Sequence, residues 1–351
     1  MKNPLGLLLK ITVAVSLLGF LLWRVDLSQF PVMLREADFL YLTLCLLFSL
    51  LMVAVSCWKW WLILLLQQCP IPFLRLYRWY FIGYFYSNFL PSNVGGDVAR
   101  AWYVRDQSKS GSIGFISVFV ERFTGIIVLL LMAATLPFLL QGPWREPTVW
   151  LVSVLALVTC LALLLVVVGG QRLSHTTIAH SALALLQRVL GARSPHSPMY
   201  RIWMRTAHRL QRLQEKRDAL SLAFRNAPSA IIQVLALSLL FYVLTIINLA
   251  LAYRAFGVWP PLCEITAVLP TALLVGMVPV SLGNLGVVEG SYVYYFGLAG
   301  MPPELTLMVG LFLRFKMLML GFIGWIVQLG YPVLKTNEPI NTTDYGSTNP
   351  E

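Results

Sequence analysis

The sequence has few charged residues and lacks the common signatures of cofactor, metal and nucleic-acid chemistry. Only 12% of its 351 residues are charged, whereas 58% are hydrophobic. The five cysteines form no Cys-x-x-Cys pair and the four histidines have no metal-binding spacing, so we expect packed thiols and neither a disulfide nor a metal site. It contains no nucleotide-sugar motif and nothing that resembles a nucleic-acid module. We therefore expect no cofactor and no nucleic-acid partner.

Long apolar runs are present instead. Several exceed the ~18 residues that are typical of a transmembrane helix. The pattern predicts an all-α polytopic membrane protein with about six full spans. The tetrad Trp58-Lys59-Trp60-Trp61 is typical of a membrane interface, which places that end of the second run near the head groups. The predicted spans cover about 5–23, 39–66, 113–140, 149–168, 228–253 and 305–334.

The net charge of +11 comes largely from one polar segment, residues 170–227. The positive-inside rule places this segment in the cytoplasm, and the resulting topology places both chain termini there as well. Within it, Arg201–Arg217 either lies on anionic lipid as a basic amphipathic helix or forms a solvated linker helix packed against the protein. The chain then divides into an N-terminal membrane repeat (1–169), a basic cytoplasmic linker (170–227), a C-terminal membrane repeat (228–335) and a disordered tail (336–351).

A polar insert, Asn88–Arg100, breaks the apolar pattern of the first half. Pro91 lacks an N–H and disfavours helix in the residue before it, so a helix that enters from the preceding aromatic run must break there. Asp97 can cap a new helix, which carries Arg100 one turn later. We predict two half-helices around an unwound turn, which in a bilayer must be buried in protein or line a wet cavity. An ordinary interhelical loop is the alternative, and capping alone is the alternative role of Asp97.

A second insert, Pro279–Gly290, repeats the order proline, serine, asparagine, glycine and acid with wider spacing. Paired helix breaks in corresponding halves mark the substrate site in transporters that are built from inverted repeats. Charge bias places the two inserts on opposite faces of the membrane. We therefore predict two re-entrant broken-helix hairpins in an inverted-repeat architecture.

Glu121 and Arg122 lie inside the long apolar run 113–140. Ionisable groups at such depth usually face a cavity or one another. Because consecutive helical residues point about 100° apart, we expect the two side chains to have different partners, with Arg100 and Asp97 as the candidates. A helix that starts later in the sequence would instead place the pair at the interface.

The inserts offer groups that suit a polar head group. Half-helix N-termini bind phosphate or carboxylate, glycines allow close approach, and arginine or lysine can neutralise a lipid phosphate. Arg314 and Lys316 lie inside the last apolar run, where snorkelling to an interface is the alternative. The predicted binding residues are Asn88, Ser92, Asn93, Gly95, Gly96, Asp97, Arg100, Glu121, Arg122, Ser281, Gly283, Asn284, Gly286, Glu289, Arg314 and Lys316.

The pattern Asn-x-Leu-Pro-x-x-x-Gly-Gly-Asp-x-x-Arg at Asn88–Arg100 resembles the membrane region of lysylphosphatidylglycerol synthases, the flippase-like or UPF0104-type family. The pair Glu121-Arg122 and the second insert lie where that family keeps its other signatures, and the resemblance extends to about residue 335. Asn284 stands where a glycine is usual and Val288 where an arginine is common.

The resemblance implies an integral inner-membrane protein of bacteria or archaea that handles lipids. In the aminoacyl-lipid synthases this region translocates the modified lipid and a separate soluble domain makes it. No such domain follows residue 335, so we expect a transporter rather than an aminoacyl transferase.

The first hypothesis is a translocase for a phospholipid, glycolipid or polyprenyl-linked lipid with an anionic or zwitterionic head group. One alternative is a membrane glycosyltransferase that uses Asp97, Glu121 or Glu289 as general base. The other is an accessory protein that recruits a lipid-modifying enzyme through the basic linker.

Overall fold

A computed structural model of the chain describes residues 30–89, 95–108, 111–140, 145–172, 228–278 and 280–330, together with isolated positions before residue 30. Most of the predicted basic linker, the predicted tail, and both Ser92 and Asn93 lie outside the described residues. Within them the chain is helical and has no strand, which confirms the all-α prediction. The α-helices are α1 Phe30–Arg35, α2 Phe39–Leu66, α3 Phe73–Phe89, α4 Gly95–Ser108, α5 Gly111–Leu139, α6 Pro147–Arg172, α7 Pro228–Ala255, α8 Leu262–Gly276, α9 Val287–Leu298 and α10 Pro303–Leu329.

Four of these helices are long and apolar enough to cross a membrane: α2, α5, α7 and α10. Each carries apolar side chains around most of its circumference, as a helix between lipid and protein requires. The described, apolar part of α6, Pro147–Leu163, is shorter, and the run 5–23 lies mostly outside the described residues. The total of about six spans therefore remains a prediction.

Two large clusters of buried side chains, and a small one between α5 and α6, form the core of the described residues. One contains residues of α2, α3 and α4, such as Trp60, Trp79 and Ala101. The other contains residues of α7, α8 and α9, such as Tyr253 and Phe296. Each insert is thus packed into a core made largely by its own half of the chain.

Helices α2 and α7 join the two halves along a contact that we call the seam, and they run antiparallel. Near one end of the seam Asn248 Nδ2 donates to the Cys45 carbonyl oxygen at 2.7 Å, and near the other Lys59 Nζ lies 3.2 Å from Ser238 Oγ. Residue numbers rise along α2 as they fall along α7. Antiparallel packing follows directly from these two contacts.

Helix starts recur along the chain with a near-constant offset. Helices α2 and α7 start at Phe39 and Pro228, 189 positions apart, and each has 28 residues. Helices α3 and α8 start at Phe73 and Leu262, also 189 positions apart. The starts of α4 and α9 differ by 192 positions, as do those of α5 and α10.

Helix α8 passes through Pro270 without a break, although a proline inside a helix removes a backbone hydrogen bond and usually interrupts or kinks it. Pro270 and its neighbours Leu269 and Thr271 are buried, and surrounding helices support the chain where the backbone hydrogen bond is missing. The break occurs instead at Gly276, where α8 ends ahead of the second insert.

Candidate functional site

Five charged side chains from α2, α4 and α5 form one cluster at the first insert. Arg100 Nη2 donates to Asp97 Oδ1 at 2.6 Å and to Glu121 Oε2 at 3.1 Å. Arg122 Nη2 donates to Asp97 Oδ1 at 3.0 Å, and Lys59 Nζ lies 3.6 Å from Glu121 Oε1. Each carboxylate therefore joins two cations, and the cluster holds three positive and two negative charges. We call it the first-insert cluster.

The first-insert cluster has a buried side and an open side. Lys59, Arg100 and Glu121 are buried, whereas the side chain of Arg122 is 52% exposed and that of Asp97 is 18% exposed. Arg122 is eleven residues after Gly111, the first residue of α5, so it lies about 16 Å along that helix. Its exposed guanidinium is far from both helix ends.

Aromatic rings enclose the buried side of this cluster. The guanidinium carbon of Arg100 lies 4.2 Å from the centre of the Tyr80 ring and 5.1 Å from that of Trp60, within range of cation–π attraction. Tyr80 Oη also donates to Glu121 Oε1 at 3.2 Å. Arg100 Nη1 is buried and has no acceptor among the described residues.

Close glycine contacts hold the helices around the cluster. A Cβ atom on Gly96 would lie 2.2 Å from the Gly83 carbonyl oxygen, and one on Gly114 would lie 2.2 Å from that of Ala101. Helices α3, α4 and α5 can approach this closely only because neither position has a side chain. From the sequence we expected a head group to approach Gly96 closely, but in the structure the backbone of α3 occupies that space. Asn88 donates to the Met317 carbonyl oxygen at 3.0 Å and so ties α3 to α10.

The second insert contains a single ion pair. Glu289 Oε1 accepts from Arg314 Nε at 2.5 Å, and Glu289 Oε2 accepts from the Gly286 N–H at 2.7 Å. Arg314 also lies within hydrogen-bond distance of the carbonyl oxygens of Gly283 and Asn284, at 3.3 and 3.5 Å. The Glu289 carboxylate and the two carbonyl oxygens of the turn thus all accept from the guanidinium group of Arg314.

The turn before α9 uses left-handed backbone conformations, with φ of 59° at Gly283, 54° at Asn284 and 81° at Gly286. Glycine adopts such angles readily and asparagine tolerates them. Asn284 Nδ2 donates to the Gly276 carbonyl oxygen at 2.8 Å, and Ser281 Oγ donates to that of Leu285 at 2.8 Å. These polar side chains hold the turn closed against the end of α8.

Two sequence-based assignments need correction. Helix α4 begins at Gly95, so Asp97 lies in its first turn and is not the N-cap; the carboxylate instead bridges Arg100 and Arg122. Lys316 neither snorkels nor joins an insert, because it is buried and hydrogen-bonded to Asn248 Oδ1 on α7. A carboxylate between two guanidinium groups is stabilised more than a capping residue that faces no charge.

Sequence reasoning missed two polar residues that the structure brings to the first insert, Lys59 and Tyr80. It also missed Asn248, which joins α7 to α2 and α10 away from both inserts. Lys59 was assigned to a membrane interface, but it is buried beside Glu121 and Ser238. Its position seven residues before the end of α2, within an apolar run, was the available signal. Tyr80 and Asn248 stand in aromatic and apolar surroundings, and nothing local in the sequence marks them.

In the described part of the chain, no group of three or more His, Cys, Asp or Glu side chains is arranged to hold a metal ion. The chemistry of both inserts is that of guanidinium, carboxylate and backbone groups. Such groups bind and orient polar or charged ligands.

Long apolar helices, packed together with ion pairs between them, define a multi-pass helical membrane protein. The chain matches the family described as the lysylphosphatidylglycerol synthase TM region over residues 7–324, and it belongs to that family. The sequence-based recognition is thereby confirmed.

Two relatives are UPF0104 membrane proteins of Methanothermobacter thermautotrophicus. One is 24% identical over 281 residues, which cover 78% of this chain and 80% of the relative. The other is 25% identical over 304 residues, 84% of each chain. Among solved structures, none gives a significant match.

Proposed function

We propose that this protein is a lipid translocase. It moves a phospholipid, glycolipid or polyprenyl-linked lipid between leaflets, and the polar head group crosses through a site between the two inserts while the acyl chains remain in the bilayer. We propose the cytoplasmic membrane as its location, with both termini on the cytoplasmic side. Membership of a lipid-synthase membrane family supports a lipid as the substrate.

The observation that carries the proposal is a matched pair of deep ion pairs. Asp97 and Arg122 are separated by 25 residues, and so are Glu289 and Arg314. Each acid is the third residue of a half-helix, α4 or α9, and each arginine is the twelfth residue of the long helix that follows. An ion pair between an acid and an arginine at matching helix positions thus occurs once in each half of the chain.

Helix packing supports an inverted relation between the halves. Helices α2 and α7, which share the 189-residue offset, pack antiparallel through Cys45–Asn248 and Lys59–Ser238. The long helix α10 packs on α3, which leads into the first insert, and α5 of the first half packs on α8, which leads into the second insert. Each half thus packs its long helix against a helix of the other half. This arrangement is expected if the two inserts approach a common site from opposite faces of the membrane.

The charges suit a gate rather than a catalytic centre. An acid and an arginine that neutralise each other close a polar path at low electrostatic cost, and a head group with its own charges can replace one partner. Sequential opening of the two ion pairs would expose the head group first to one leaflet and then to the other. Re-entrant geometry of both inserts is part of this proposal.

The test is a translocation assay in liposomes that contain the purified protein. The probes are fluorescently labelled phosphatidylglycerol and phosphatidylethanolamine, and a membrane-impermeant reductant reports how much probe reaches the outer leaflet. We expect translocation by the wild type and a loss of about tenfold or more in Asp97→Asn and in Glu289→Gln, since each variant removes the carboxylate from one of the two matched ion pairs.

Glu264→Gln is the matched control for Glu289→Gln, because Glu264 is an exposed acid in the first turn of α8 and has no part in either insert. It should translocate like the wild type. Normal translocation by both insert variants would overturn the proposal, as would a folded wild-type protein that moves neither probe nor any lipid extracted from its own host membrane.

A further inference from the structure

The two inserts differ in charge despite their matched ion pairs. The first-insert cluster sums to +1, with three cations and two carboxylates, whereas Glu289 and Arg314 sum to zero. With the 192-residue offset, the positions of Arg100 and Glu121 correspond to Tyr292 and Leu313. The additional buried ion pair is therefore specific to the first insert.

The first-insert cluster also has more hydrogen-bond donors than acceptors. Asp97 Oδ1 alone accepts from Arg100 Nη2 and from both Nε and Nη2 of Arg122. Arg100 Nη1, although buried, has no acceptor among the described residues. At the second insert, two turn carbonyls and Glu289 share the donors of Arg314. Only the first cluster is short of acceptors.

The open side of this cluster cannot face hydrocarbon. An exposed guanidinium about 16 Å along a spanning helix is too costly there unless a wet cavity or an anion receives it. Arg122 and Asp97 form that side, next to the N-terminal turn of α4, whose backbone N–H groups also favour an anion. One added negative charge would bring the cluster to neutrality.

We propose that the first insert is a binding site for a phosphodiester monoanion, and that the second insert has no such site. The phosphate oxygens accept from Arg122 and the first turn of α4, with Arg100 and Lys59 supplying positive potential from behind. A phosphodiester carries one charge, whereas a phosphomonoester carries about −1.5 to −2 at neutral pH and overfills the cluster. This proposal rests on the proposed function only for the origin of the ligand, which would be the translocated lipid. The charge class of the ligand is tested by binding measurements alone.

The binding test uses three soluble probes with the full-length protein in a neutral detergent, followed by calorimetry. Dihexanoyl-phosphatidylglycerol presents the phosphodiester on a lipid, glycerophosphoglycerol presents it without acyl chains, and dihexanoyl-phosphatidate presents a phosphomonoester. We expect saturable binding of the first probe, weaker binding of the second and weakest binding of the third. Equal affinity of the two diesters would mean that the site recognises free head groups, which contradicts a lipid ligand.

Matched arginine variants assign the site. Arg122→Gln should weaken the binding of dihexanoyl-phosphatidylglycerol by about tenfold or more, because a charge-assisted contact is lost. Arg314→Gln should change it by less than about threefold. Arg105→Gln, an exposed arginine at the end of α4, is the control for overall charge. Equal weakening by Arg122→Gln and Arg314→Gln would overturn the difference between the inserts.

Asp97→Asn provides the sharpest test, since it raises the cluster to +2 and should reverse the preference in favour of dihexanoyl-phosphatidate. A retained preference for the diester would overturn the charge argument. The readout is independent of transport: loss of translocation with this reversal supports both proposals, whereas normal translocation with the reversal supports the binding site and contradicts only the gating role proposed for Asp97.

Discussion

The two inserts are held against their neighbouring helices by different kinds of contact. Around the first, close contacts between glycine and backbone fix the helices, and a buried cluster of charges joins α2, α4 and α5. Around the second, a turn with left-handed residues closes on α8, and one acid holds one arginine. Close packing thus holds the described helices at the first insert, whereas hydrogen bonds hold the described turn at the second. Under our two proposals both ion pairs open during transport, and only the first insert also binds the phosphodiester.

The largest expected difference in stability lies between the two acids. Glu121→Ala leaves Arg100 and Lys59 buried without a carboxylate between them and should lower the free energy of unfolding by about 3–5 kcal/mol. Glu289→Ala leaves Arg314, whose side chain is 26% exposed and retains two carbonyl acceptors, so the loss should be about 1–3 kcal/mol. Titration with a denaturing detergent measures both, and a larger loss for Glu289→Ala would contradict the comparison.

The next largest effect on stability is expected at two glycines in the contact between α3 and α10. A methyl group on Gly324 would lie 2.0 Å from the Phe81 carbonyl oxygen, which is backbone and cannot move aside. One on Gly321 would meet the Asn88 amide nitrogen at 2.1 Å, which is the end of a side chain that can rotate. Gly324→Ala should therefore cost about 1–3 kcal/mol of unfolding free energy and Gly321→Ala less than about 1 kcal/mol. Thermal unfolding in detergent compares them, and equal shifts would mean that α3 and α10 are not held as tightly as the structure has them.

Effects of a size similar to those of the glycine variants are expected at the two buried lysines. Lys59→Met removes a donor to Ser238 and an ion pair with Glu121, and should destabilise the protein by about 1–3 kcal/mol. Lys316 has no carboxylate within ion-pair distance among the described residues and bonds only to Asn248. Replacing an uncompensated buried charge relieves a desolvation cost, so Lys316→Met should change stability by less than about 1 kcal/mol. Greater destabilisation by Lys316→Met than by Lys59→Met would reveal a structural role for that ammonium.

Local patterns predicted helices well. Helix α3 ends at Phe89 and α4 begins at Gly95, so the described helix ends lie on either side of the break that was predicted at Pro91. Proline, glycine and apolar runs act over a few residues, so a sequence displays them directly. The different partners expected for Glu121 and Arg122 are those seen, because helical geometry alone sets their directions.

Long-range contacts could not be read in the same way. Lys59 looked interfacial because its neighbours are tryptophans, and only the packing of α2 against α5 and α7 shows that it is buried. The contact of Gly96 with Gly83 likewise depends on how two helices cross. Binding roles of the predicted site residues remain predictions, which the proposed experiments address.

The seam between α2 and α7 has a consequence for how the protein is made. The Cys45 carbonyl oxygen accepts from Ser49 Oγ within α2 and gains a second donor, Asn248, which is synthesised 203 residues later. Lys59 is likewise paired with Ser238 only after a further 179 residues have been synthesised. Until α7 enters the membrane, α2 presents these polar groups to lipid or to the insertion machinery. The first half of the chain is therefore an unfinished intermediate during biosynthesis, and a chain truncated before α7 should be a substrate for membrane proteases rather than a smaller working protein.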